Sequence, residues 1–171
     1  MVLLAAMKLT ILSGGQTGVD RAALFWAIRH GVPHGGWCPH GRWSEDGPIP
    51  GSYHLWETPS PNVEERTLWN VRDSDGTAIF SMSEALTGGT AQTARFCVEL
   101  GRPLLFLAAT IWTIRESALA LRHFLEKHHV RRLNIAGPRA SEQPEAAAFT
   151  RSVLGAAFPY ARNSRRGAYA H

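Results

Sequence analysis

The sequence predicts an α/β fold: a single doubly wound domain with a mainly parallel central sheet. Three observations carry this reading. Short apolar runs (KLTIL, TAIFSM, PLLFLAA and RLNIA) alternate with segments of helical periodicity. Helices stop at a glycine with a proline two residues on, as at Gly31–Pro33 and Gly101–Pro103. The 171 residues are 44% hydrophobic and 19% charged, which suits one domain burying about 70% of its unfolded-chain surface. Strands separated by helices pair in parallel, because each helix carries the chain back across a face of the sheet.

Met7 to Leu12 reads as the first strand, ending at Gly-Gly. Val19 to His30 places Ala22, Ala23, Trp26 and Ala27 at helical spacing. From His34 to Pro61 the chain is rich in Gly, Pro, Trp and Ser and holds at most a short strand around Gly36 to Cys38. Loops of that length in small domains are commonly functional. Asn62 to Asp73 is helical, with Val63, Leu68 and Val71 facing inward, and Thr77 to Met82 is a buried-type strand. After Gly88-Gly89 come a helix over Thr90 to Leu100, a strand in PLLFLAA and a long helix over Thr113 to His128. A strand over Arg132 to Ala136, the loop GPRASEQ and a helix to about Ala157 complete the pattern. Five or six parallel strands are expected, the first near the middle. The domain is expected over residues 7–158, with flexible ends at 1–6 and 159–171.

No apolar run approaches the ~20 residues of a membrane span, so no membrane association is expected. The start, MVLLAAMK, lacks a basic leading region and reads as a ragged start rather than a signal peptide. Cys38 and Cys97 lie far apart and form no disulfide framework, which fits the reducing cytoplasm. The net charge is +4, with Arg151, Arg162, Arg165 and Arg166 crowded late in the chain. Such a cluster is either solvated or draws phosphates and nucleic acid; nucleic acid is the weaker of the partner readings.

The stretch SGGQTGVDRAAL and the later LTGGTAQTA share a grammar of strand, Gly-Gly turn and helix. A helix start has unpaired amides and partial positive charge, and glycine lets an anion come close. The two turns are therefore read as neighbouring ligand loops at the carboxyl edge of the sheet. The first offers Gly14, Gly15, Gln16, Thr17, Asp20 and Arg21. Thr17-x-x-Asp20 reads as a capping box, so Asp20 either caps the helix or accepts hydrogen bonds from a ligand. The second offers Thr87, Gly88, Gly89, Thr90, Gln92 and Thr93 with no acid in the turn, and is the better phosphate cradle. Arg95 either leans towards it or lies on the helix surface. A third strand end delivers Asn134, Gly137 and Arg139, the last as a bidentate clamp. The first turn, GGQTG, has the spacing of neither a dinucleotide nor a triphosphate loop.

Within PHGGWCPHGRWSEDGPIP, Trp37 and Trp43 are placed to stack on a planar ring, and Glu45 and Asp46 to accept from its N–H groups. His34, Cys38 and His40 match no common zinc spacing, so no protein-ligated metal is expected. In ERTLWNVRDSDG, Arg66, Asn70, Arg72, Asp73 and Asp75 are either mostly solvated or paired with one another, or Asn70 and Asp73 reach the ligand edge. No triad, paired-carboxylate spacing or nucleophile elbow stands out. Were the protein an enzyme, Asp20 and Glu45 would be its acid–base candidates.

Taken together, SGGQTGVDRAAL, GGWCPHGRWSEDGPIP, ERTLWNVRDSDGT, LTGGTAQTA and LNIAGPRASE resemble the molybdenum-cofactor carrier family, in order from about Leu9 to Phe158. That family is Rossmann-like and related to the superfamily of LOG-type phosphoribohydrolases, which bind nucleotides. The resemblance implies a doubly wound fold, homo-oligomers (dimer or tetramer), and molybdenum cofactor or a similar phosphorylated heterocycle held at the carboxyl edge. Its metal would arrive with the cofactor. LOG-type enzymes carry P-G-G-x-G-T-x-x-E where this chain runs from Thr87 to Arg95, so Arg95 replaces the glutamate. That departure favours a carrier over an N-glycoside hydrolase acting on nucleoside monophosphates, which stays open as the alternative.

Overall fold

The computed structural model describes residues 9–159. In chain order the elements are β1 (Thr10–Leu12), α1 (Val19–His30), β2 (His34–Gly35), β3 (Trp37–Cys38), β4 (Trp43–Ser44), β5 (Gly47–Pro48) and β6 (Trp56–Glu57). There follow α2 (Val63–Arg72), β7 (Gly76–Ser81), α3 (Gly88–Glu99), β8 (Leu104–Ala108), α4 (Ile114–Lys127), β9 (Arg132–Ala136) and α5 (Ala146–Ala157). The expected flexible ends fall outside the described residues, apart from Pro159.

Five strands form one sheet in the order β2-β1-β9-β7-β8, and every neighbouring pair is parallel. The doubly wound α/β fold is thus present. The first strand lies next to the middle, and β9, the last, is inserted between β1 and β7 and takes the central place. Gly76 and Thr77 pair with Leu133 and Asn134, so the register alternates side chains between two faces. One face carries Ile11, Ala78, Phe80, Leu107, Leu133 and Ile135 and packs on α1, α4 and α5 in the main core. The other packs on α2 and α3 through a smaller cluster of Val71, Phe96 and Cys97, with Leu68 and Leu104 against it. Asn134 lies on this second face, buried, and donates to Thr77 Oγ1 at 3.2 Å. It does not reach the ligand edge as expected.

Local signals explain most helix ends. Gly31 closes α1 in a left-handed conformation, and Thr113 with Glu116 forms a reciprocal capping box at the start of α4. The capping box expected at Thr17 and Asp20 does not form. Gly18 is the N-cap, because the loop after β9 crosses there. A methyl group at Gly18 would stand 2.5 Å from the Pro138 carbonyl oxygen, and the residue has φ +77°. Gly88 and Gly89 are also not a turn before a helix: they form the first turn of α3 itself, after the N-cap Thr87.

Residues 34–61 hold more strand than expected. They supply β2 to the main sheet, a parallel pair β3–β6 and an antiparallel hairpin β4–β5. Arg42 holds the stretch together from within, donating to the carbonyls of Leu55 at 3.0 Å, Pro50 at 3.1 Å and Tyr53 at 3.0 Å. A guanidinium with three carbonyl acceptors does here what a small apolar core does elsewhere.

Candidate functional site

The carboxyl ends of β1, β9 and β7 converge on a narrow crevice of about 50 Å³. It is lined by Gln16 and Asp20 from the start of α1, Arg66 and Thr67 from α2, and Gly89, Thr90 and Thr93 from α3. Ala136, Gly137, Arg139 and Glu142, from β9 and the loop after it, complete the wall. Both Gly-Gly segments therefore lie on one edge, as expected, but they serve different ends. Gly89 has nothing within 4 Å of where a side chain would begin, so the start of α3 is open. Gly14 and Gly15 are covered by the chain's own side chains. A methyl at Gly14 would lie 1.8 Å from Arg66 Nη1, and one at Gly15 would lie 2.6 Å from Leu55 Cδ1. At the first pair the absence of a side chain lets Arg66 and Leu55 approach, and of that loop it is Gln16 and Asp20 that line the crevice. Gly137 likewise admits the Phe80 carbonyl and Val19.

Asp20 sits at the floor of the crevice. Its Oδ2 accepts from the Gln16 amide and from Arg66 Nη1, each at 3.2 Å. Only 5% of the Asp20 side chain and 17% of the Arg66 side chain is exposed. Burial pushes the Asp20 carboxyl above its ordinary range; the Arg66 charge and the Gln16 amide oppose that only in part. Arg66 Nε is buried with no hydrogen-bond partner among the described residues. At the mouth, Arg139 Nε meets Glu142 Oε1 at 3.4 Å, both side chains being nearly half exposed. The crevice thus combines an open helix start, three hydroxyl-bearing threonines, two arginines and two carboxylates.

The other expected residues lie elsewhere. Trp37 is held away from the crevice: its Nε1 donates to Asp73 Oδ2 at 2.7 Å and its ring meets Trp69 edge-on at 4.7 Å. Asn70 is buried in a reciprocal pair with the Trp37 backbone, at 2.8 and 2.9 Å, rather than at the ligand edge. Asp73 is tied to Trp37 and Arg72, and Trp43 is exposed on β4. Gln92 donates to Glu64, and Arg95 pairs with Glu64 and Glu99, so neither lines the crevice. Thr87 and Gly88 start α3 beside it; a methyl group at Gly88 would stand 3.8 Å from Glu142 Oε1.

Glu45, Asp46, Thr17 and Arg21 form a latch. Glu45 accepts from the Thr17 hydroxyl, the Ser141 amide at 3.1 Å and the Ser141 hydroxyl at 2.5 Å. Asp46 accepts from both terminal nitrogens of Arg21 at 2.5 and 2.8 Å. The hairpin β4–β5 is thereby fastened to α1 and to the loop after β9. Hydrogen bonds from Ser141 and Thr17 lower the Glu45 pKa, and those from Arg21 and Ser44 lower that of Asp46. Missing from the sequence reading were Arg66, Thr67 and Glu142. Val63, Thr67, Asn70 and Val71 share helical spacing, and Thr67, Asn70 and Val71 are the buried positions of α2. The polar members of that face were the available signal.

A larger groove of about 480 Å³ lies between α1 and α5, lined by Phe25, Arg29, His30 and Arg151 among others. It opens beside the last turn of α1, at the amino edge, away from all these loops.

The model of the circularly permutated YpsA SLOG family matches residues 11–158. The chain belongs to that family. Its topology shows the permutation directly. Counting β9 first and passing from the chain's end to its start, the sheet strands run β9, β1, β2, β7, β8. The spatial order then becomes 3-2-1-4-5, that of the nucleotide-binding doubly wound sheet. The order reverses between β9 and β7, and the crevice lies at that switch point, where such sheets bind ligands. Among solved structures, the chain is similar to the crystal structure of a "Putative molybdenum carrier protein" from Syntrophus aciditrophicus SB. The identity is 43%, the TM-score 0.85, and the match covers 86% of this chain and 93% of that one. No curated protein matches. The family resemblance drawn from the five sequence motifs agrees with both matches. No helix among the described residues is long and apolar enough to cross a membrane.

Proposed function

We propose that the protein is a carrier that holds molybdenum cofactor, or a closely similar phosphorylated heterocycle, by its phosphate in the carboxyl-edge crevice. The observation that carries this reading is the meeting of an open helix start at Gly89 and Thr90 with a partly buried Arg66 whose buried Nε has no hydrogen-bond partner among the described residues. Backbone amides and a guanidinium bind phosphate oxygens well. Arg139, held only by an exposed pair with Glu142, is free to exchange that carboxylate for a ligand's phosphate. Pockets that enclose a whole drug-sized ligand run to roughly 300–1,000 Å³. About 50 Å³ accommodates the charged end alone, so the ring system lies outside the crevice. The molybdenum is cargo, bound through the cofactor's own sulfurs. The two free, buried cysteines suit the cytoplasm.

Equilibrium binding of purified cofactor tests the proposal. Saturable binding is expected, with loss in Gly89→Asp, which adds a carboxylate at the helix start where space is open. Absence of saturable binding, or equal binding by that variant, removes the reading. The place of Asp20 favours a second one: a carboxyl buried at the floor of the crevice, its pKa raised by that burial, is a candidate general acid. Asp20 would protonate the leaving base of a nucleoside monophosphate as the N-glycosidic bond breaks, and the water that adds to the ribosyl carbon would return a proton to the Asp20 carboxylate. Release of free base, abolished in Asp20→Asn, would support it; inert nucleotides dismiss it.

A further inference from the structure

The groove of about 480 Å³ between α1 and α5 takes no part in the crevice, and its size suits a small molecule, for which sites run to roughly 300–1,000 Å³. Its apolar wall is aromatic. Phe25 is 49% exposed there, while Trp26 and Phe158, with rings 5.6 Å apart, are almost wholly covered. The charge along it has one sign: Arg29 and His30 come from α1 and Arg151 from α5, and no carboxylate lines it. Arg29 stands over the Phe25 ring at 6.0 Å, and neither arginine has a carboxylate partner among the described residues.

Two of these residues are not explained by the fold. Arg29 and His30 complement the negative end of α1, as cations in a last turn commonly do. Arg151 is different: it stands midway along α5, where no helix end calls for it, and is the one charge in that helix. Gly155 also lies inside α5, where glycine is less stable than alanine. Its backbone is outside the left-handed region, and nothing lies within 4 Å of where a side chain would begin. Neither conformation nor packing asks for glycine at this point, but an open groove does. Among the helical glycines, Gly89 alone shares both properties, and it stands at the crevice.

We propose that this groove is a second ligand site, which takes a flat organic anion: an aromatic ring system carrying a carboxylate or a phosphate. The ring lies against Phe25, over the space that Gly155 leaves, and the arginines take the charge. A guanidinium binds either head group through paired N–H donors. Residues 160–171 follow Pro159 at the rim of the groove, but they carry Arg162, Arg165 and Arg166 and no acid. Their charge repels where that of an anion attracts. The inference is independent of what the crevice binds.

Calorimetric titration of the full chain with 2-naphthoate and with 2-naphthyl phosphate tests it, neutral 2-naphthamide being the control. Saturable binding of at least one anion is expected, about tenfold or more tighter than the amide; the better anion identifies the head group. Arg29 and Arg151 are exposed, so Arg29→Gln and Arg151→Gln should fold, and each should weaken binding about tenfold. Gly155→Leu should abolish it while raising the thermal midpoint by about 2 °C, a combination that damage to the fold cannot produce. Should Gly155→Leu fail to fold, the arginine variants decide, and undiminished affinity in both overturns the inference. So does saturation by neither anion, equal binding of the amide, or a folded Gly155→Leu that binds as the parent does. Loss of the anions in Gly89→Asp overturns it too, because they would then lie in the crevice.

Discussion

Asp20 and Arg66 form a buried pair whose two halves respond oppositely to its loss. Removing the guanidinium leaves a carboxylate 5% exposed with no charged partner, facing the Gln16 amide and the Ser13 hydroxyl. Breaking such a pair costs about 3 kcal/mol or more, so Arg66→Ala should lower stability by that order at neutral pH. The penalty has a definite pH dependence. The folded-state pKa of Asp20 is already raised, and loss of Arg66 raises it further, so the folded chain binds a proton that the unfolded chain releases. Stability of the variant should therefore recover as pH falls towards the unfolded carboxylate value near about 3.9. Urea denaturation at neutral and acid pH reads both effects, and a pH-independent deficit contradicts the assignment. Asp75 has the opposite sign. Burial works against its ionisation, but the Arg132 and Arg131 amides and the Arg132 side chain outweigh it and lower the pKa. It ties the start of β7 to the start of β9, accepting from those amides at 2.7 and 3.0 Å. Asp75→Asn should cost about 1 kcal/mol at neutral pH. The gap between variant and parent should close as pH falls through the lowered value, below about 3.9.

Among the elements, the hairpin β4–β5 depends on bonds that span up to 96 positions of sequence, Glu45 to Ser141 being the longest. Glu45→Ala removes three acceptor contacts on a surface element without touching the core. Amide exchange over residues 43–48 should speed up while the thermal midpoint hardly moves, and an unchanged exchange rate would show that Asp46 and Arg21 suffice. The latch should hold through the neutral range and loosen only under acid conditions, because hydrogen bonding lowers both carboxylates. These same elements mark how far the sequence is legible. Strands β7, β8 and β9 and all five helices announce themselves by alternation, periodicity and stop signals, which are local. A two-residue strand such as β3 has no period to read, and Arg42 clamping three carbonyls leaves no mark in the order of residues. At the crevice, the α3 start and the Gly137–Arg139 loop were readable from glycine and threonine content. Arg66 was not, since a polar residue on a helix face is by default solvated. The room at the first Gly-Gly was hidden for a related reason: the atoms that take it belong to residues 55 and 66.

At the scale of the whole molecule, the insertion of β9 between β1 and β7 separates connectivity from architecture. The strand order 3-2-1-4-5 is stable because of which faces are covered, and the position of the chain ends is incidental to that. Leu9 enters β1 at the amino edge, and α5 returns there, with Phe158 packing on Trp26 at 5.6 Å between rings. Both limits of residues 9–159 thus lie on one edge, and the twenty residues outside them exceed any span needed to join them, at roughly 3.3 Å each when extended. The turn between α4 and β9 is exposed, and His129 sits there at φ +52°, so a break before it relieves an unfavourable backbone position. A variant starting at His129, with the native ends joined, should therefore fold to the same sheet and keep the ligand affinity of the parent. In that chain β1 and β9 become nearer in sequence while β7 and β9 become more distant, so mean contact separation hardly changes. Its folding rate should stay within about tenfold of the parent's. Matching amide-exchange protection in β1, β7 and β9 would establish the unchanged order; a soluble variant protected in β7 and β8 but open in β9 would show that the native connection holds the central strand in place.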